Sequence, residues 1–241
     1  MPSIPVDVLR EILGHVGKAD LATLCRVNKI FCSCSQDVLY REIYGNEHVV
    51  QTLARSTDLA RRVRRFTINR ECPELATALR NMSSLRILEL GYYDDWSILD
   101  GCTFKLDSLT CDSPHSESHQ RFLISQPSIT RVFFFNGCKT VPPFDERCLP
   151  NLTRVFAPIS WLGILIPGRP VREVAMRSDP GIDLSLFTLS TAPIQNLWID
   201  YDVLYSKPIS LLVSIFPSLV HLAVFAYHVD WTVRVPLCLS I

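Results

Sequence analysis

Two hydrophobic rhythms divide this chain. Over roughly the first forty residues, apolar side chains recur at helical spacing, with Val8, Leu9, Ile12, Leu13 and Val16 making one stripe. Pro5 suits the first helical position, and Asp7 and Glu11 favour the N-terminal turns. Gly17 is expected to close that helix in a left-handed cap, beside Lys18. Asp20 reads as the N-cap of a second helix carrying Leu21, Leu24 and Val27. A third helix is expected to hold Val38, Leu39, Ile43 and Tyr44. Three such short helices make a thin core and leave apolar surface uncovered. The segment is either a helical cap on the domain that follows or a docking module that a partner completes.

From Val63 onward the rhythm changes to apolar-x-x-apolar-x-apolar. It occurs eight times, starting at Val63, Leu85, Leu106, Ile129, Leu152, Val171, Ile194 and Leu219. The starts are 22, 21, 23, 23, 19, 23 and 25 residues apart. Side chains two apart on a strand share a face, so the fourth and sixth positions point inward. One unit alone cannot bury that side, so neighbours must stack. Pro127, Pro150 and Pro217 each stand two residues before a segment and set up the strand. Helical connectors are expected at 74–82 and 209–216, and a loop at 112–119.

The third and fifth positions then lie on an exposed sheet face. Arg131, Phe133, Arg154, Phe156 and Trp198 fall there, with Phe133 beside Phe156 and Arg131 beside Arg154. Aromatic rings and guanidinium groups on an exposed face are what binding hot spots are built from. These five are the candidate substrate-docking residues. A one-residue slip of register would send them into the core instead.

Composition narrows the function classes. Lys plus Arg and Asp plus Glu number 24 each, so no net charge draws the chain to nucleic acid. The run Arg61, Arg62, Arg64 and Arg65 lacks interleaved aromatics and reads as a solvated edge of the first repeat. Hydrophobic residues make up 48%, enough for a real core. The nine cysteines are irregularly spaced, with no signal peptide before them, and read as reduced, packed thiols in the cytoplasm or nucleus. The sequons at Asn81 and Asn151 are read as chance matches on the same ground. Cys102, Cys111, His115 and His119 invite a zinc reading, but the gap between the two cysteines is far too wide for a zinc finger, so no metal is expected. Residues 208–229 carry no Lys, Arg, Asp or Glu, but Pro217, His221 and three serines interrupt them, and no membrane role is expected. There is no phosphate loop, nucleophile elbow or His-Glu-x-x-His, so no cofactor and no catalysis are expected.

A family resemblance joins the two halves. Ile4-Pro5-x-x-Val8-Leu9-x-x-Ile12-Leu13-x-x-Val16, then Asp20-Leu21-x-x-Leu24-x-x-Val27-Asn28-Lys29-x-Phe31, then Val38-Leu39-Tyr40-Arg41-x-Ile43, resembles the F-box in order and without insertion. The segments from 60 to 226 resemble leucine-rich repeats in number and period. They depart from that pattern near the ninth position, where Glu71, Tyr93, Pro114 and Gly137 replace the usual Asn or Cys. The pairing of the two is similar to the large F-box families of fungi. The resemblance implies an α/β chain: a trihelical F-box at 1–45, then an irregular leucine-rich-repeat solenoid at 46–241 with about eight repeats of parallel strands and helix or loop connectors. After Val224 only a short apolar tail remains, which either caps the last repeat or leaves it open as in a truncated product.

The resemblance further implies a substrate-recognition subunit of an SCF-type cullin–RING ubiquitin ligase. The partners would be a Skp-type adaptor, through it a cullin, and a protein substrate. Carried onto this chain, the adaptor contacts are Ile4, Pro5, Val8, Leu9, Ile12 and Leu13, with Val27, Leu39 and Tyr40 extending the face. The alternatives are an F-box and repeat protein acting outside a ligase, and, further off, a soluble α/β enzyme.

Overall fold

Where each front helix begins is decided by a few capping groups. In the computed structural model, which describes residues 4–91, 93, 95–111, 116–135, 144–176, 183–200 and 209–225, helix α1 spans Val6–Gly14, α2 spans Lys18–Leu24 and α3 spans Lys29–Leu39. Pro5 stands at the N-cap of α1, one residue ahead of the expected place, and its carbonyl accepts the Leu9 N–H at 3.0 Å. Gly17 is not a left-handed cap: its φ is −64° and it leads into α2, which moves Asp20 into the first turn of that helix. Asn28 caps α3, its side chain accepting the Phe31 N–H at 3.0 Å.

The third helix is the main correction at this end. It runs earlier than expected, and Ile43 and Tyr44 lie beyond it in strand β1, Glu42–Tyr44. β1 pairs in parallel with β2, Arg65–Ile68, placing Ile43 opposite Phe66. Gly45 follows immediately, and any Cβ there would lie 2.8 Å from the Phe66 ring. The spacing of Val38, Leu39, Ile43 and Tyr44 fits a helix equally well; strand pairing wins here.

The chain divides into two compact units, Met1–Gly91 with Ser97–Leu106, and Tyr92–Trp96 with Asp107–Ile241. In the first unit, β1 is followed by α4, Glu47–Arg55, α5, Thr57–Ala60, β2, α6, Leu75–Asn81, and β3, Ile87–Leu90. In the second, β4 is Ser108–Cys111, α7 Glu117–Ile124, β5 Arg131–Phe134, β6 Arg154–Ala157, α8 Ile159–Leu165 and β7 Glu173–Met176. A 3-10 helix at Leu184–Leu189, β8 at Asn196–Asp200, α9 at Ile209–Ile215 and β9 at His221–Phe225 complete it. Within each unit the strands are parallel and follow chain order. All eight expected strand segments are present and β1 is a ninth, an arrangement consistent with an α/β repeat solenoid. The expected loop at 112–119 is corrected in part: residues 112–115 lie outside the described ones, but α7 takes up its end, capped by Ser116, which accepts the His119 N–H at 3.3 Å.

Period two sets the core. The fourth and sixth positions are buried in pairs: Phe66 and Ile68, Leu88 and Leu90, Leu109 and Cys111, Val132 and Phe134, Val155 and Ala157, Val174 and Met176, Leu197 and Ile199. Each large member contributes about 1.5–3 kcal/mol by leaving water. Behind them Trp161 of α8 meets the edge of Phe134, centroids 5.4 Å apart.

Two hydrogen-bond devices hold successive repeats in step. At most strand starts among the described residues, two consecutive amides share one carbonyl of the preceding repeat. Arg64 and Arg65 donate to Arg41, Arg86 and Ile87 to Arg64, Thr153 and Arg154 to Thr130, Arg172 and Glu173 to Thr153, and Gln195 and Asn196 to Arg172, at 2.8–3.1 Å. Side chains then cross from one repeat to the next. Asn81 donates to the carbonyls of Leu53 and Ala54, Arg64 to Ser84, Arg86 to Lys105, and Asn151 to Pro127. Asn81 and Asn151 are thus cross-repeat donors.

Candidate functional site

The front helices bury little. Leu9, Leu13, Leu21 and Cys34 form the centre, with Val16, Leu24, Phe31, Val38 and Leu39 packed partly against it. Residues four apart on α1 share a face, so Leu9 and Leu13 turn inward together while Val8 and Ile12, one position earlier, turn outward.

The nine residues named from sequence therefore separate. Ile4, Val8, Ile12 and Val27 are 60%, 49%, 51% and 59% exposed, and Pro5 is exposed beside them in sequence. Leu9 and Leu13 are corrected: at 6% and 1% exposed they hold α1 to its neighbours and offer no surface to a partner. Leu39 and Tyr40 are half-buried, with Leu39 packed on the trihelical core. Sequence reasoning passed over Val6 and Ile30, which are also exposed aliphatic residues. Their signal was an apolar residue that fits no buried period.

An ion-pair cluster links α1, α3 and Arg62. Asp37 of α3 accepts from Arg10 of α1, Nε–Oδ2 3.1 Å, and from Arg62. Arg62 also donates to the Ser33 carbonyl at 3.1 Å. The basic run at 61–65 is thus largely engaged. Arg64 crosses to Ser84, and Arg65 pairs with Glu89 at 3.3 Å and Glu42 at 3.8 Å.

In the second unit the odd strand positions form a half-exposed face. Arg131 lies opposite Arg154, and Arg154 opposite Glu173, with which it forms an ion pair. The next row runs Thr110, Phe133, Phe156, Ala175, Trp198 and Ala223 across six strands. The Phe133 and Phe156 rings stand 6.1 Å apart, and Phe135 meets Phe156 edge-on at 5.9 Å. The structure brings Arg131, Phe133, Arg154 and Phe156 together; Trp198 lies two strands from Phe156, with Ala175 between.

The remaining candidate chemistry is packed away. Cys111 is buried in β4, and His119 is buried in α7 with its ring 4.0 Å from that of Trp96, while His115 lies outside the described residues. Burial pushes the Cys102 thiol up to about 12 and the Cys148 thiol up to about 11, so both stay protonated. Among the described residues, no group of three or more His, Cys, Asp or Glu is placed to hold a metal ion, and no helix is long and apolar enough to cross a membrane. Of the uncharged stretch 208–229, the described part, 209–225, holds α9 and β9.

No curated protein matches the chain. Residues 1–42 match the family model described as the F-box domain, whose members bind Skp-type adaptors in ubiquitin ligase complexes. With three short helices, a thin core and an uncovered aliphatic stripe on α1, the front of this chain is an F-box domain.

Proposed function

We propose that the chain is the substrate-recognition subunit of an SCF-type cullin–RING ubiquitin ligase. In this reading Ile4, Pro5, Val8, Ile12 and Val27 meet the Skp-type adaptor, and the adaptor brings the cullin. The repeats hold a protein substrate on Phe133, Phe156 and Trp198, with Arg131 and Arg154 at their side. The observation that carries the reading is the outward stripe of Ile4, Val8 and Ile12 on an F-box, exposed among the described residues. Such a row fits a groove between partner helices, and its dehydration supplies the affinity at about 25 cal/mol per Å².

The test is reconstitution with a purified Skp-type adaptor and its cullin–RING partner. The chain should co-elute with the adaptor alone and with the whole assembly. Phe156→Ser combined with Trp198→Ser should leave that co-elution unchanged. Co-elution with the adaptor but never with the cullin would move the chain to a ligase-independent complex. Elution apart from the adaptor would end the reading.

A further inference from the structure

The aromatic face carries two features that together describe its ligand. The first is a notch. Phe156, Ala175 and Trp198 are in register on β6, β7 and β8, so two large side chains flank one methyl group. Adjacent strands lie about 4.8 Å apart, which spaces the two flanking backbones by about 10 Å and, among the described residues, leaves room for one apolar side chain above Ala175. Phe156 is braced from the far side by Phe133 and Phe135. Trp198 has alanine opposite it on both neighbouring strands, Ala175 and Ala223, and is only half-buried.

The second feature is charge. Arg131 and Arg154 are directly opposed on β5 and β6, an arrangement that like charges disfavour. Glu173 neutralises Arg154. Among the described residues no carboxylate forms an ion pair with Arg131, which lies two residues from Phe133 on the same face. Glu173, two residues from Ala175, is taken up by Arg154, so the unpaired positive charge of this face sits at Arg131 and an acidic ligand group is attracted there. The sheet face therefore has a direction.

We infer that this face takes an extended acidic segment of a protein, seating an aromatic or leucine side chain over Ala175 between Phe156 and Trp198 and placing a carboxylate on Arg131. The inference rests on the proposed role of the face in substrate capture and adds the chemistry of what it captures. Ala175 and Arg131 are two strands and one row apart, a separation of about 12 Å that an extended chain covers in two to four residues. The spacing between the apolar residue and the acid is thus part of the inference.

The experiment selects random dodecapeptides displayed on phage against the full chain, then measures synthetic winners by fluorescence anisotropy. The wild-type consensus should be an aromatic residue or leucine with Asp or Glu two to four positions away. Arg131→Glu should weaken those winners about tenfold or more and switch selection to Lys or Arg at the same position. Arg131→Gln should lose the acidic preference without reversing it. Ala175→Leu, which fills the notch, should weaken the winners by a similar factor. An apolar consensus with no acidic preference, a preference unchanged in both Arg131 variants, or no selected peptide overturns the inference. Winners that bind Phe156→Ser, Trp198→Ser chain as well as wild type overturn instead the role of the face in capture.

Discussion

Ile12→Asp will leave the chain folded and cut its affinity for a Skp-type adaptor by about a hundredfold or more, because it puts a carboxylate where an aliphatic side chain is to be dehydrated. Ile12 is half exposed in the free chain, so the substitution removes little from the core. Leu13→Ala, one residue along, will act through folding instead. Leu13 is fully buried among the front helices, and truncating such a leucine costs about 2–5 kcal/mol. In so small a core that loss unfolds the F-box, and adaptor binding falls with it. Thermal unfolding and adaptor titration of the two variants separate the cases. An Ile12→Asp chain that unfolds, or that binds as wild type, contradicts the assignment of faces on α1.

Arg169→Met will destabilise the second unit by about 3 kcal/mol, a fall in Tm of roughly 10 °C. Arg169 is 5% exposed and has no ion-pair partner among the described residues. Its guanidinium donates twice to the Cys148 carbonyl, at 3.1 and 2.9 Å, and to the carbonyls of Ile164 and Pro167 at 2.8 and 3.1 Å. It also lies 5.8 Å from the centroid of Phe144. Burial lowers its pKa from the ordinary arginine value, yet the carbonyl cage holds the charge in place. Methionine keeps the apolar bulk and leaves those carbonyls without a donor, the cost that outweighs the relief of an unburied charge. Differential scanning calorimetry reads the result, and an unchanged Tm contradicts the cage.

The two rhythms of the sequence carried unequal information. The strand segments were legible because alternation leaves one choice once a face is buried: Val132 and Phe134 inward places Arg131 and Phe133 outward. The stripe on α1 was legible as a stripe but not as a direction. Val8, Leu9, Ile12 and Leu13 all lie within one broad apolar arc, and only packing against α3 decides that Leu9 and Leu13 face in. Ile43 and Tyr44 fit a helical period by accident of spacing, and a strand partner more than twenty residues away decided otherwise. The start of α7 was obscured because Ser116, Glu117, Ser118 and His119 carry no apolar period, although the Ser116 cap was a usable signal. The cage around Arg169 had no local signature, since two of its four bonds reach a carbonyl twenty-one residues back. The notch over Ala175 likewise depends on three strands standing in register.

Calorimetric titration of the full chain with a purified Skp-type adaptor, repeated at several temperatures, tests the central claim most directly. An uncovered aliphatic face that a second polypeptide encloses predicts one-to-one binding with a negative heat-capacity change, both lost in Ile12→Asp and both kept in Phe156→Ser, Trp198→Ser chain. No heat of binding, or a heat-capacity change unaltered by Ile12→Asp, would contradict it.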